Sequence, residues 1–166
     1  MKTILSLVVL ITTLFILSAT SFSATFTVMN TTDSGAGSLR QAIDDANNNA
    51  GADEIVFDPA LMGTILILPD NGEMLITDDL TITGPGADVI TIDADITATN
   101  DSRIFNIDDS TGTDIVVSIS GLTLINGLAD DGGDGDNGGA ILNNEELSID
   151  SCVFDSNSAT VRGGAI

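Results

Sequence analysis

The chain has 166 residues, with 25 Asp and Glu against four Lys and Arg, a net charge of -21, and no Trp, Tyr or His. That acidity makes nucleic acid and anionic membranes poor partners. The absence of His removes the usual general acid/base. The single cysteine, Cys152, rules out an intramolecular disulfide. Stability must therefore come from packing and hydrogen bonding.

Met1 and Lys2 make a basic start, residues 4–17 form an apolar run, and residues 19–24 are mostly small. This is the pattern of a secretory signal peptide over residues 1–23, with the mature chain starting near Ala24 and bound for the cell exterior. The run is short for a membrane span of about 20 residues and lacks a basic flank, so no membrane insertion is expected after cleavage. Cleavage removes the only lysine and no acid, leaving 25 acids against Arg40, Arg103 and Arg162, a net charge of -22.

Residues 26–28 read as a strand, followed by a Gly-rich turn. One helix follows. Ser38 and Gln41 make a capping box, and Leu39, Ala42, Ile43 and Ala46 form one apolar stripe, ended by Asn47, Asn48, Asn49 and Gly51. Arg40 falls on the polar side and is expected to be a surface ion-pair partner. Short strands are predicted at 55–57, 64–68, 74–76, 80–82, 89–92, 104–107, 115–119, 122–124, 147–149 and 153–154. Gly, Asp, Asn or Pro separates them.

The strands repeat. Gly138-Gly-Ala-Ile141 recurs as Gly163-Gly-Ala-Ile166, and residues 117–127 align without gaps on 147–157, thirty positions on. Fixed-period self-similarity built from short alternating strands marks a solenoid. An all-β, right-handed parallel β-helix is therefore expected, with strand and helix (24–53) capping coils (54–166) that are cut off in mid-unit. Ile119 with Ile149, Leu122 with Cys152, and Leu124 with Phe154 would form inward columns, making Cys152 a small buried hydrophobe. Asn126 and Asn157 fall at turns, where an Asn amide can bond to backbone or to the next Asn.

Three segments carry a family resemblance: residues 31–43 (Thr-Thr-Asp-Ser-Gly-Ala-Gly-Ser-Leu-Arg-Gln-Ala-Ile), 51–58 (Gly-Ala-Asp-Glu-Ile-Val-Phe-Asp) and 76–84. Together they resemble the N-terminal part of bacterial right-handed parallel β-helix surface proteins of the CSLREA type, although the eponymous string appears here as Gly37-Ser-Leu-Arg-Gln-Ala42. The Gly-Gly-Ala-Ile segments with Phe154-Asp-Ser-Asn157 are similar to the GGAI and FxxN repeats of polymorphic outer membrane proteins. The resemblance implies a pectin-lyase-like fold and an exported passenger for surface display or adhesion, associated with the outer membrane or cell surface. Its partners would be glycans or other surface proteins, and it brings no catalytic residues.

The alternative is a carbohydrate-active β-helix enzyme, a polysaccharide lyase or hydrolase. A hydrolase needs two carboxylates about 5–9.5 Å apart. The candidates are Asp93 with Asp95, Asp108 with Asp109, and Asp130 with Asp131. Adjacent acids on a strand point to opposite faces, and turns in an acidic protein gather Asp in any case, so no catalytic residue is assigned. The acidic loop from Asp130 offers Asp130, Asp131, Asp134 and Asp136 as hard oxygen ligands for Ca²⁺, although it fits neither the EF-hand nor the repeat-toxin spacing.

Overall fold

A computed structural model describes residues 22–67, 71–94, 102–130 and 137–166. The proposed signal peptide falls almost wholly outside them, as do Asp95, Asp131, Asp134 and Asp136. Among the described residues no helix is long and apolar enough to cross a membrane.

The chain is a parallel β-solenoid of about four turns. Strand β1 (Thr25–Val28) leads to helix α1 (Leu39–Asn47), and three coils' worth of strands follow: β2 (Asp53–Phe57), β3 (Gly63–Leu66) and β4 (Met74–Ile76); β5 (Leu80–Thr83), β6 (Ile90–Asp93) and β7 (Phe105–Ile107); β8 (Val116–Ser120), β9 (Thr123–Ile125), β10 (Leu128–Ala129) and β11 (Ile141–Asn143). The last coil holds β12 (Glu146–Asp150), β13 (Val153–Asp155) and β14 (Ser158–Ala159). Each strand pairs in parallel with its counterpart one coil on, giving sheets ordered β1-β2-β5-β8-β12, β3-β6-β9-β13 and β4-β7-β11, plus the short pair β10-β14.

The core is built from columns of like residues. Phe26, Ile55, Ile82, Ile119 and Ile149 stack through the first sheet, Ile65, Ile92, Leu124 and Phe154 through the second, and Met74, Phe105 and Ile141 through the third. Alternation places these side chains inward and their neighbours outward, and β-branched Ile suits the pleated surface. The expected thirty-residue register holds from Val117↔Leu147 to Ile125↔Asp155. Cys152 is half-buried against the core rather than enclosed.

The Gly and Asn positions of the repeat have steric and hydrogen-bonding causes. Gly138 and Gly163 have φ of 65° and 59°, and a Cβ on either would strike the carbonyl oxygen of the Ile three residues on. Gly139 packs its α-carbon against the backbone of Gly164 and Ser158, so the two GGAI segments stack directly, with Gly139 N donating to Gly163 O at 3.1 Å. Asn157 reaches back one coil, donating from Nδ2 to Leu124 O and accepting from Gly127 N through Oδ1. Its amide bonds to backbone and not to Asn126, which donates to Asp93 Oδ1.

Helix α1 packs its stripe of Leu39, Ala42, Ile43 and Ala46 on β1, β2 and β4, closing the first coil. Ser38 Oγ accepts from Gln41 N at 3.1 Å, but Gln41 turns its amide to Asp45 instead of returning to Ser38, so only half of the capping box forms. Arg40 is not a surface group. Its side chain is 13% exposed beside Asp33, which is 2% exposed, with Nη2 at 2.9 Å from Oδ1. The same guanidinium donates to Gly72 O and Glu73 O. The planar fork thus ties the helix to the turn entering β4, a geometry that Arg can hold across several acceptors.

Candidate functional site

Outward positions of the second sheet carry a threonine column, Thr64, Thr91 and Thr123, in register across β3, β6 and β9. Parallel pairing sets these residues at the strand spacing of about 4.8 Å, with the Thr123 hydroxyl donating to Ala87 O. Beside Thr64 and Thr91 runs an open groove of 490 Å³, lined also by Met62, Gly63, Asp88 and Val89. Met62 is 71% exposed there. Its position follows from the topology: β3 is an edge strand of this sheet, and the loop after β5 brings Val89 against the start of β3, its carbonyl accepting from Gly63 N. The groove combines a small apolar floor, hydroxyls and one exposed carboxylate. That set can meet the C–H face and the hydroxyls of a sugar.

The first sheet adds a second hydroxyl face, with Thr81, Ser118 and Ser148 in one outward column and Thr83 above Ser120 in the next. No aromatic side chain stands among these outward strand residues. A depression of 320 Å³ beside β11 is lined by Leu142, Asn144, Arg162 and Ile166, where the second GGAI segment stacks on the first.

The acids sort differently from their spacing in sequence. Asp108 and Asp109 leave β7 into a turn, not along a strand, and their carboxylates gather with Glu145 of the next coil, oxygen atoms within 4.8 Å of one another. The turn, not strand alternation, decides their direction. Asp108 accepts from Ser110 N in its own turn and from Asn144 Nδ2 of the next coil, Asp109 accepts from Thr111 N and Oγ1 in its own turn, and Glu145 accepts from Asp109 N and Ile115 N of the preceding coil. The Thr111 hydroxyl and then its N–H hold the Asp109 carboxyl below its ordinary value of 3.8. A general acid needs the opposite shift.

Arg103 bridges coils, with Nη1 3.1 Å from Glu73 Oε2 and Nε donating to Asn137 O, while Asn106 donates to the other Glu73 oxygen. Sequence reasoning found no role for Arg103 because its partners lie 30 and 34 residues away. Of the proposed Ca²⁺ ligands only Asp130 is described, at an exposed position just after β10. Comparison with protein-family models, curated proteins and solved structures gives no match to this chain.

Proposed function

We propose that this chain is an exported β-helix passenger, displayed at the cell surface or secreted, whose coil faces contact glycans in adhesion. The observation that carries the reading is the threonine column beside the groove of Met62, Asp88 and Val89. Repeated hydroxyls on a rigid face suit a partner that is itself a repeating polymer of hydroxyls. With 25 acidic residues, the chain would repel polyanions, so the favoured partners are neutral or basic glycans. The paired turn roles of Asp108, Asp109 and Glu145 lend no support to turnover of the bound glycan.

Retention of the secreted protein on immobilised neutral, basic and acidic polysaccharides tests this, with the eluate assayed for released sugar. Retention by neutral or basic polymers is expected, falling about tenfold in the doubly substituted Asp88→Ala, Thr91→Val protein, as loss of one or two good polar contacts predicts. Retention on none, or equal retention of the variant, would sink the glycan groove, and released sugar would replace adhesion with catalysis. Running it in Ca²⁺ and in chelator tests the Asp130, Asp131, Asp134 and Asp136 loop as a Ca²⁺ ligand set: retention or melting that responds to Ca²⁺ but not Mg²⁺ would support it.

A further inference from the structure

Asp53 stands where a hydrophobe belongs. It pairs in register with Leu80, which stacks on Val117 and Leu147, so the carboxylate heads an otherwise apolar inward column and is 3% exposed. Oδ1 accepts from Ala24 N and from Asn49 Nδ2, each at 2.8 Å. Oδ2 is buried and accepts no hydrogen bond. An ionised carboxylate in such a place is costly unless a cation pairs with it, and among the described residues no arginine forms an ion pair with it.

The group already touching Asp53 is the backbone nitrogen of Ala24. In the sequence, Ser23 precedes it and Ser21 stands two further back, the small residues that an export endoprotease requires at the last and third-last positions of a leader. Phe22 and Ser23 are exposed, Phe22 at 69%, so the Ser23–Ala24 bond lies at the surface, and cutting it removes an exposed aromatic side chain. Two bonds are given up, Phe22 N to Ala50 O and Asn49 Nδ2 to Phe22 O, while Asn49 keeps its contact with Asp53.

We propose that export cleavage at Ser23–Ala24 creates, in the α-ammonium of Ala24, the missing partner of Asp53, and that this half-buried ion pair locks the first coil after processing. The inference rests on the export reading. In the cut, water adds across the peptide bond: hydroxyl goes to the Ser23 carbonyl carbon, one proton goes to the Ala24 nitrogen, and a solvent proton makes that amine an ammonium. The nitrogen that offered one N–H to Oδ1 then offers three, enough to serve Oδ2 as well. The uncut chain has only the neutral contact and is the looser form.

The full chain is expressed in an exporting bacterial host and the product identified by intact mass and N-terminal sequencing. An N-terminus at Ala24 is expected. Processing at another bond would overturn the ion pair while leaving export standing, whereas a cell-retained chain still carrying Met1 would overturn both. The processed chain has no lysine, so an amine reagent reports on Ala24 alone. The native protein should react about tenfold more slowly than the denatured one, since pairing holds the amine protonated. Acetylation after unfolding should then lower the melting temperature of the refolded protein by several degrees. Asp53→Asn should abolish both effects. Equal reactivity of native and denatured protein would refute the pairing without recourse to any variant.

Discussion

At Gly139 a Cβ would lie 2.2 Å from Gly164 O and 2.4 Å from Ser158 O, whereas at Gly164 the nearest atom is Asn157 O at 3.5 Å. Gly139→Ala should therefore force two coils apart, costing about 1–3 kcal/mol as overpacking does. Gly164→Ala should be close to neutral, so chemical denaturation of the two variants makes a matched test. Equal midpoints would mean that the GGAI segments do not stack as described. Asp109 supplies a second residue-level test. Its carboxyl is held low in the folded chain, so its contribution is present above 3.8 and lost as pH falls through the folded value. Thr111→Val removes the larger cause and should move the Asp109 midpoint, read by NMR titration, upward toward 3.8. No change would show that the hydroxyl does not hold that carboxyl.

Among the elements, helix α1 is the clearest case of what a sequence discloses and what it withholds. Its stripe of Leu39, Ala42, Ile43 and Ala46 was legible because helical periodicity is local, and all four are buried. The role of Arg40 was not, because Gly72 and Glu73 lie 32 and 33 residues on and only the fold brings them near. The same reason hid Glu145 from Asp108 and Asp109, since its contact with Asp109 spans 36 residues. Strands β10 and β14, two residues each, are too short to show alternation, and β11 follows a glycine pair that masks it. Arg40→Lys keeps the charge but loses the fork, and should leave one of Asp33, Gly72 O and Glu73 O unserved, lowering stability by about 1–3 kcal/mol. A melting curve that matches the parent would reduce Arg40 to the surface partner its sequence position suggested.

Over the whole molecule, coils lie 27, 37 and 30 positions apart at Asp53↔Leu80, Leu80↔Val117 and Val117↔Leu147, so only the last two coils align without gaps in the sequence. The solenoid is nevertheless one stack, in which each coil is stabilised by its neighbours, and stability should vary along it. Strands β5 and β8 have partners on both sides, and β1 is covered by α1, whereas β12 pairs only with β8 and leaves Leu147 and Ile149 half-buried. Local opening should begin at β12, β13 and β14, and amide exchange should be slowest in β5 and β8. Ile119 and Ile149 share one column, the first fully buried and the second not. Ile119→Ala should cost about 2–5 kcal/mol and Ile149→Ala less than half of that, because Ile149 is only half-buried and removes less apolar surface from water. Equal costs, with β12 amides as slow to exchange as those of β8, would contradict the half-buried state of Ile149.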